Sequence, residues 1–122
     1  MAEDIDWDPV RELARRVDAG EPLALTSEVC ALLLRSAREV GIPEEEARAA
    51  IAGVAPATAL LLETRRRIRD GSQRLMRALT SARRLQEAGD AAGARALLED
   101  VLVVEQVPLY REQAELALED LE

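Results

Sequence analysis

Eight arginines stand between Thr58 and Ala88: Arg65, Arg66, Arg67, Arg69, Arg74, Arg77, Arg83 and Arg84. A guanidinium stays charged at any ordinary pH and presents planar donors to carboxylates and phosphates, so such a run points to binding before catalysis. Arg66, Arg69, Arg77 and Arg84 are the candidate partner-binding residues. The catalytic repertoire is thin. There is no histidine, which removes the usual general base, a common zinc ligand and the side chain that titrates near neutrality. Paired carboxylates can still do acid–base work, and Glu63 and Glu87, both near the arginines, are the acids to consider. The single cysteine, Cys30, makes neither an internal disulfide nor a metal site. With Glu28, Val29 and Leu32 around it on a predicted helix, it is expected in the core, not as a nucleophile. Glu44, Glu45 and Glu46 look like half a metal site, but consecutive helical residues point in different directions. Acids in a first helical turn also serve the helix dipole. The expectation is no catalytic residue, no cofactor and no metal.

The element that carries the arginines is predicted from a seven-residue recurrence of Leu61, Ile68, Leu75 and Ala82, extended by Leu79 and Leu85. That spacing makes one apolar stripe on a helix. Asp70-Gly71-Ser72 lies in its middle. Glycine costs roughly 1 kcal/mol against alanine inside a helix, and Ser72 could cap a second one. The apolar register runs on across Gly71, so one continuous helix with a weak point there is the preferred reading.

The flanking elements follow from caps and stripes. Asp8-Pro9 starts a helix through Val10, Leu13, Ala14 and Val17, with Asp8 as cap, Trp7 packed back as a staple and Gly20 as the left-handed stop. Thr26-Ser27 caps a second, with Val29, Leu32, Leu33, Ser36, Ala37 and Val40 inward and Gly41 at its end. Ile42-Pro43 opens a short third, with Ala47, Ala50, Ile51 and Val54 inward, and Ala55-Pro56 turns the chain into the long helix. Gly89-Asp90 makes a tight turn into a helix carrying Ala94, Leu97, Leu98, Val101, Leu102 and Glu105. Val107-Pro108 interrupts it before a last helix with Tyr110, Ala114, Ala117 and Leu121 on one stripe and Leu109, Leu116 and Leu118 beside it.

These elements predict an all-α fold, a single helical bundle of five to six helices with a long central helix. The length, 122 residues, and the 48% apolar content suit one domain over 1–122, with residues 1–6 frayed. The core must be aliphatic, because Trp7 and Tyr110 are the only aromatic residues. β-branched residues never alternate over a strand length, so no sheet is expected. With no signal peptide and no apolar run of about 18 residues, the expected setting is the cytoplasm, away from membranes.

Residues 78–102, ALTSARRLQEAGDAAGARALLEDVL, resemble one tetratricopeptide repeat at Ala82, Leu85, the Gly89-Asp90 turn, Ala94, Leu98 and Val101. The aromatic and Leu-Gly positions of the first repeat helix are missing, the proline falls late at Pro108, and no second copy exists where a solenoid needs about three. The chain as a whole resembles the DUSAM-domain family of small bacterial proteins of unknown function. That resemblance rests on DWDPVRELARRV, GEPLALTSEVCALLLRSAREV, RRRIRDGSQRLMRALTSARRLQEAGD and VVEQVPLYREQAE. It implies no catalytic or binding residue. The many paralogues of such a group would imply variable recognition partners.

The net charge of −8 is segregated: −6 over residues 1–60, +5 over 61–95 and −7 over 96–122. Three readings stay open. The arginines pair internally with acidic neighbours, their stems covering apolar surface. They bind nucleic acid, against which stand the acidic total and the lack of aromatic residues for stacking. Or a charged surface binds a protein partner, as in a non-catalytic adaptor or an acidic immunity-like protein masking a basic toxin. The protein-interaction reading is preferred, and homo-oligomerisation is left open.

Overall fold

A computed structural model describes residues 4–121. Among them the chain is all helix, with α1 Asp8–Asp18, α2 Ser27–Glu39, α3 Glu44–Ala50, α4 Val54–Glu87, α5 Ala91–Val104 and α6 Pro108–Asp120, and no strand. The all-α expectation with a long central helix holds. The chain divides into two compact units, Met1–Arg67 and Ile68–Glu122, and α4 contributes residues to each. Part of the expected frayed start, residues 1–3, lies outside the described residues; Asp4–Trp7 precede α1 without regular structure.

In the first unit, α1 packs on α2 and α2 on α3. The α1 start differs from expectation. Trp7 is the N-cap and Asp8 is already helical, while Asp6 Oδ1 accepts the Asp8 N–H at 3.0 Å. The carboxylate two residues upstream takes the capping job that the sequence assigns to Asp8. Trp7 is buried, and its indole N–H donates to Glu39 Oε1 at 3.1 Å, fastening the start of α1 to the end of α2. Thr26 caps α2 as expected, accepting the Val29 N–H at 3.1 Å. Val54 is a correction: α3 stops at Ala50, and Val54 opens α4 half-exposed, with Ala55-Pro56 inside the first turn. Proline fits there because the first-turn amides have no intrahelical acceptor. Cys30 is half-buried, short of the core placement expected for it.

The second unit holds the rest of α4 with α5 and α6, the last two packed together. Asp90 caps α5 by accepting the Gly93 N–H at 2.8 Å, and Pro108 begins α6. The α4–α5 turn closes in the manner of the α1 and α2 ends. Gly89 takes φ +85°, its N–H meets Gln86 O at 3.0 Å and the Asp90 N–H meets Leu85 O at 2.8 Å. This is the paired closure of a left-handed C-terminal cap, where a β-carbon would be strained.

Helix α4 is continuous through Gly71. The expected apolar row, Leu61, Ile68, Leu75 and Ala82, is buried throughout. A second row is buried beside it: Ala57 and Thr64 in the first unit, Gly71 and Ala78 in the second. A β-carbon at Gly71 would sit 2.6 Å from Tyr110 Cδ2 and 2.9 Å from Glu105 Oε1. Gly71 is therefore a notch for the Tyr110 ring rather than a weak point. The phenol O–H also donates to Ile68 O at 2.9 Å.

Candidate functional site

The arginines of α4 sort by what they meet. In the first unit, Arg65 pairs with Asp18. Arg66 holds Glu63 with two bonds, Nε to Oε1 at 2.9 Å and a terminal nitrogen to Oε2 at 2.6 Å. Arg67 adds Nε to Glu63 Oε2 at 2.9 Å and donates to the Val40 carbonyl, the cap of α2, at 3.1 Å. The hydrogen bond from Arg66, reinforced by Arg67 against a partial burial cost, holds the Glu63 carboxyl below the usual carboxylate range.

In the second unit, Arg69 lies against Asp70 at 3.2 Å. Arg74 donates to Glu105 Oε1 at 2.7 Å. Glu105 is a buried acid whose other oxygen accepts the backbone N–H groups of Gln106 at 3.1 Å and Val107 at 3.0 Å. Arg111 completes the corner by donating to Leu102 O at 2.6 Å and Glu105 O at 3.0 Å. Arg77, Arg83 and Arg84 are exposed and meet no described carboxylate within ion-pair distance.

The four candidate arginines thus divide. Arg66 and Arg69 are engaged by acids on their own helix, whereas Arg77 and Arg84 extend from the second unit towards solvent. Of the two candidate acids, Glu63 is held by arginines in the first unit and Glu87 is exposed in the second. Glu44, first of the acidic triplet, faces Arg38 at 3.9 Å and Arg48 at 3.8 Å.

An open groove of about 640 Å³ runs between the second-unit part of α4 and α5. Ala78, Leu97, Val101 and Val104 form its apolar part; Asp70, Gln73, Arg74, Arg77, Ser81 and Asp100 supply polar groups. Val104 is 55% exposed, and the neighbouring Val103 is 81% exposed. Sequence reasoning did not single out this groove or Asp100. A depression between two helices depends on how they pack, and the only sequence signal for it is a pair of valines past the inward face of α5.

A family model described as "Protein of unknown function (DUF2379)" matches residues 5–121. No curated protein and no solved structure matches the chain.

Proposed function

We propose, for a chain that belongs to the DUF2379 family and takes no assigned activity from it, that this is a non-catalytic protein-interaction domain of the DUSAM type, working in the cytoplasm. Its partner is a protein held partly by charge, and the second-unit part of α4 is the binding helix. The observation that supports the reading is the division of the arginines: Arg77 and Arg84 meet no internal acid, whereas Arg66 and Arg69 do. Holding an exposed guanidinium against an external carboxylate breaks no internal pair. The hairpin of α4 and α5, which we take as tetratricopeptide-like, presents apolar surface beside Arg77, as interaction surfaces do.

The test is a capture experiment with purified chain, run with and without nuclease at low and high salt, the bound protein then identified and its affinity measured directly. Arg77→Gln with Arg84→Gln is expected to leave the melting temperature near wild type and to weaken binding about tenfold or more, which corresponds to about 1.4 kcal/mol. Arg66→Gln with Arg69→Gln is expected to leave binding in place. Captured material that disappears on nuclease treatment would move the assignment to nucleic acid. Unchanged binding in the Arg77/Arg84 variant would remove this helix as the site.

A further inference from the structure

We propose that the groove between α4 and α5 is a homodimer interface, in which α5 of a second copy lies in the groove and Asp100 of each copy pairs with Arg77 of the other. The proposal rests on the interaction reading above and names the partner of this surface.

Four charged side chains line the groove. Two are already committed: Arg74 to the buried Glu105 at 2.7 Å, and Asp70 to Arg69 at 3.2 Å. Two are not: Arg77 on α4 and Asp100 on α5 line the same groove, and neither meets a described ionic partner. The groove therefore carries a positive group on one helix and a negative group on the other, with Ala78, Leu97 and Val101 among its apolar residues.

That pattern selects its occupant by sign. A uniformly acidic segment would be repelled by Asp100, and a uniformly basic one by Arg77. A two-fold contact needs residue i of one copy on residue j of the other and the reverse. A surface carrying one charge of each sign, Arg77 on one helix and Asp100 on the other, is able to meet that condition with itself. The apolar part agrees. Val104, 55% exposed on α5, is the side chain that would enter the facing groove, as ridges enter grooves in ordinary helix packing. The two-fold contact then requires Asp100 of each copy to reach Arg77 of the other.

The experiment is sedimentation of the full chain from about 1 to several hundred micromolar, a range that brackets weak and moderate affinities. Four chains are compared: wild type, Arg77→Asp, Asp100→Arg and the double charge swap, each confirmed as helical by circular dichroism. Wild type is expected to dimerise, each single reversal to raise the dissociation constant about tenfold or more, and the double swap to return it to within about threefold of wild type. Should a reversal unfold the chain, Arg77→Gln and Asp100→Asn replace the reversals, and each must still weaken the dimer. A wild type that stays monomeric across the range overturns the proposal, as does a double swap no tighter than the single reversals. A monomeric chain that still captures another protein through Arg77 and Arg84 would remove the dimer and leave the broader reading standing. A dimer that captures nothing else would uphold the proposal and restrict the broader reading to a second copy as its partner.

Discussion

Glu63 in the first unit and Glu105 in the second are both held by arginines of α4, by Arg66 and Arg67 in one case and by Arg74 in the other. Glu63 lies on the same helix as its partners, three and four residues before them, and its side chain is 34% exposed. Glu105 lies beyond α5, 31 residues from Arg74, is 2% exposed, and also holds two backbone amides of the α5–α6 corner. The first arrangement adds to a helix that exists without it. The second joins α4 to the corner where α5 ends and α6 begins. Water would serve Glu63 almost as well as its arginines do, but it cannot readily reach Glu105. The lesson is that charge pairs of similar length differ in worth according to what else could solvate the carboxylate.

The largest test of this contrast is Arg74→Met, which keeps most of the stem and removes the charge. It leaves the Glu105 carboxylate buried without its guanidinium and should cost about 3 to 5 kcal/mol in denaturant unfolding. A cost near that of a surface pair would end the distinction. Leu98→Ala then sets the scale of pure packing in the same unit. Leu98 is almost fully buried, so about 2 to 5 kcal/mol is expected, and a wild-type melting temperature would contradict the packing described. Gly71→Ala comes next. Helix propensity alone favours alanine by roughly 1 kcal/mol, yet the new β-carbon meets Tyr110 and Glu105 under 3.0 Å. The net outcome should be a loss of about 1 to 3 kcal/mol from overpacking, and a gain in stability would show that the notch is loose. The smallest effect belongs to Glu63→Gln, at about 0 to 1 kcal/mol, because water screens the pair. Its pH behaviour has a definite sign. The folded carboxyl is lowered by Arg66, so its contribution is present above the unfolded value of about 4.3. It is lost as pH falls through the lower folded value. Acid titration of wild type against Glu63→Gln reads that difference, and it should vanish at the acid end.

Half of the inward face of α4 was legible. Leu61, Ile68 and Leu75 recur at seven residues and are aliphatic, so hydropathy finds them. The companion row, Ala57, Thr64, Gly71 and Ala78, is small or polar and looks like nothing on a hydropathy scale. Its burial follows only from neighbours that come close. Gly71 shows the difficulty best, since its cost to the helix is a local property while its use, room for Tyr110, is supplied by a residue 39 positions away. The cap at Thr26 was legible because its side chain acts on its own turn; Asp90 reads only as part of a turn, and the structure adds its capping of α5. The α1 start slipped because Asp6 and Asp8 are equivalent candidates by type, and the structure uses Asp6. Spacing puts Glu105 on the helix of Ala94 and Leu98, whereas it follows the end of α5, and what offsets its burial, Arg74, lies on another helix. For the same reason the sequence could nominate Arg66, Arg69, Arg77 and Arg84 together and could not separate the engaged from the unengaged.

The placing of the two aromatic side chains has an experimental use. Trp7 is buried in the first unit and Tyr110 in the second, and the chain has no other aromatic residue. Each unit thus carries a native optical reporter of its own, with no label or substitution needed. Selective excitation of the indole follows the surroundings of Trp7 beside Glu39. The near-ultraviolet signal of the phenol follows the seat of Tyr110 at Gly71. Coincident loss of the two signals in one denaturant titration would mark a single cooperative transition, and separated midpoints would give each unit its own unfolding free energy.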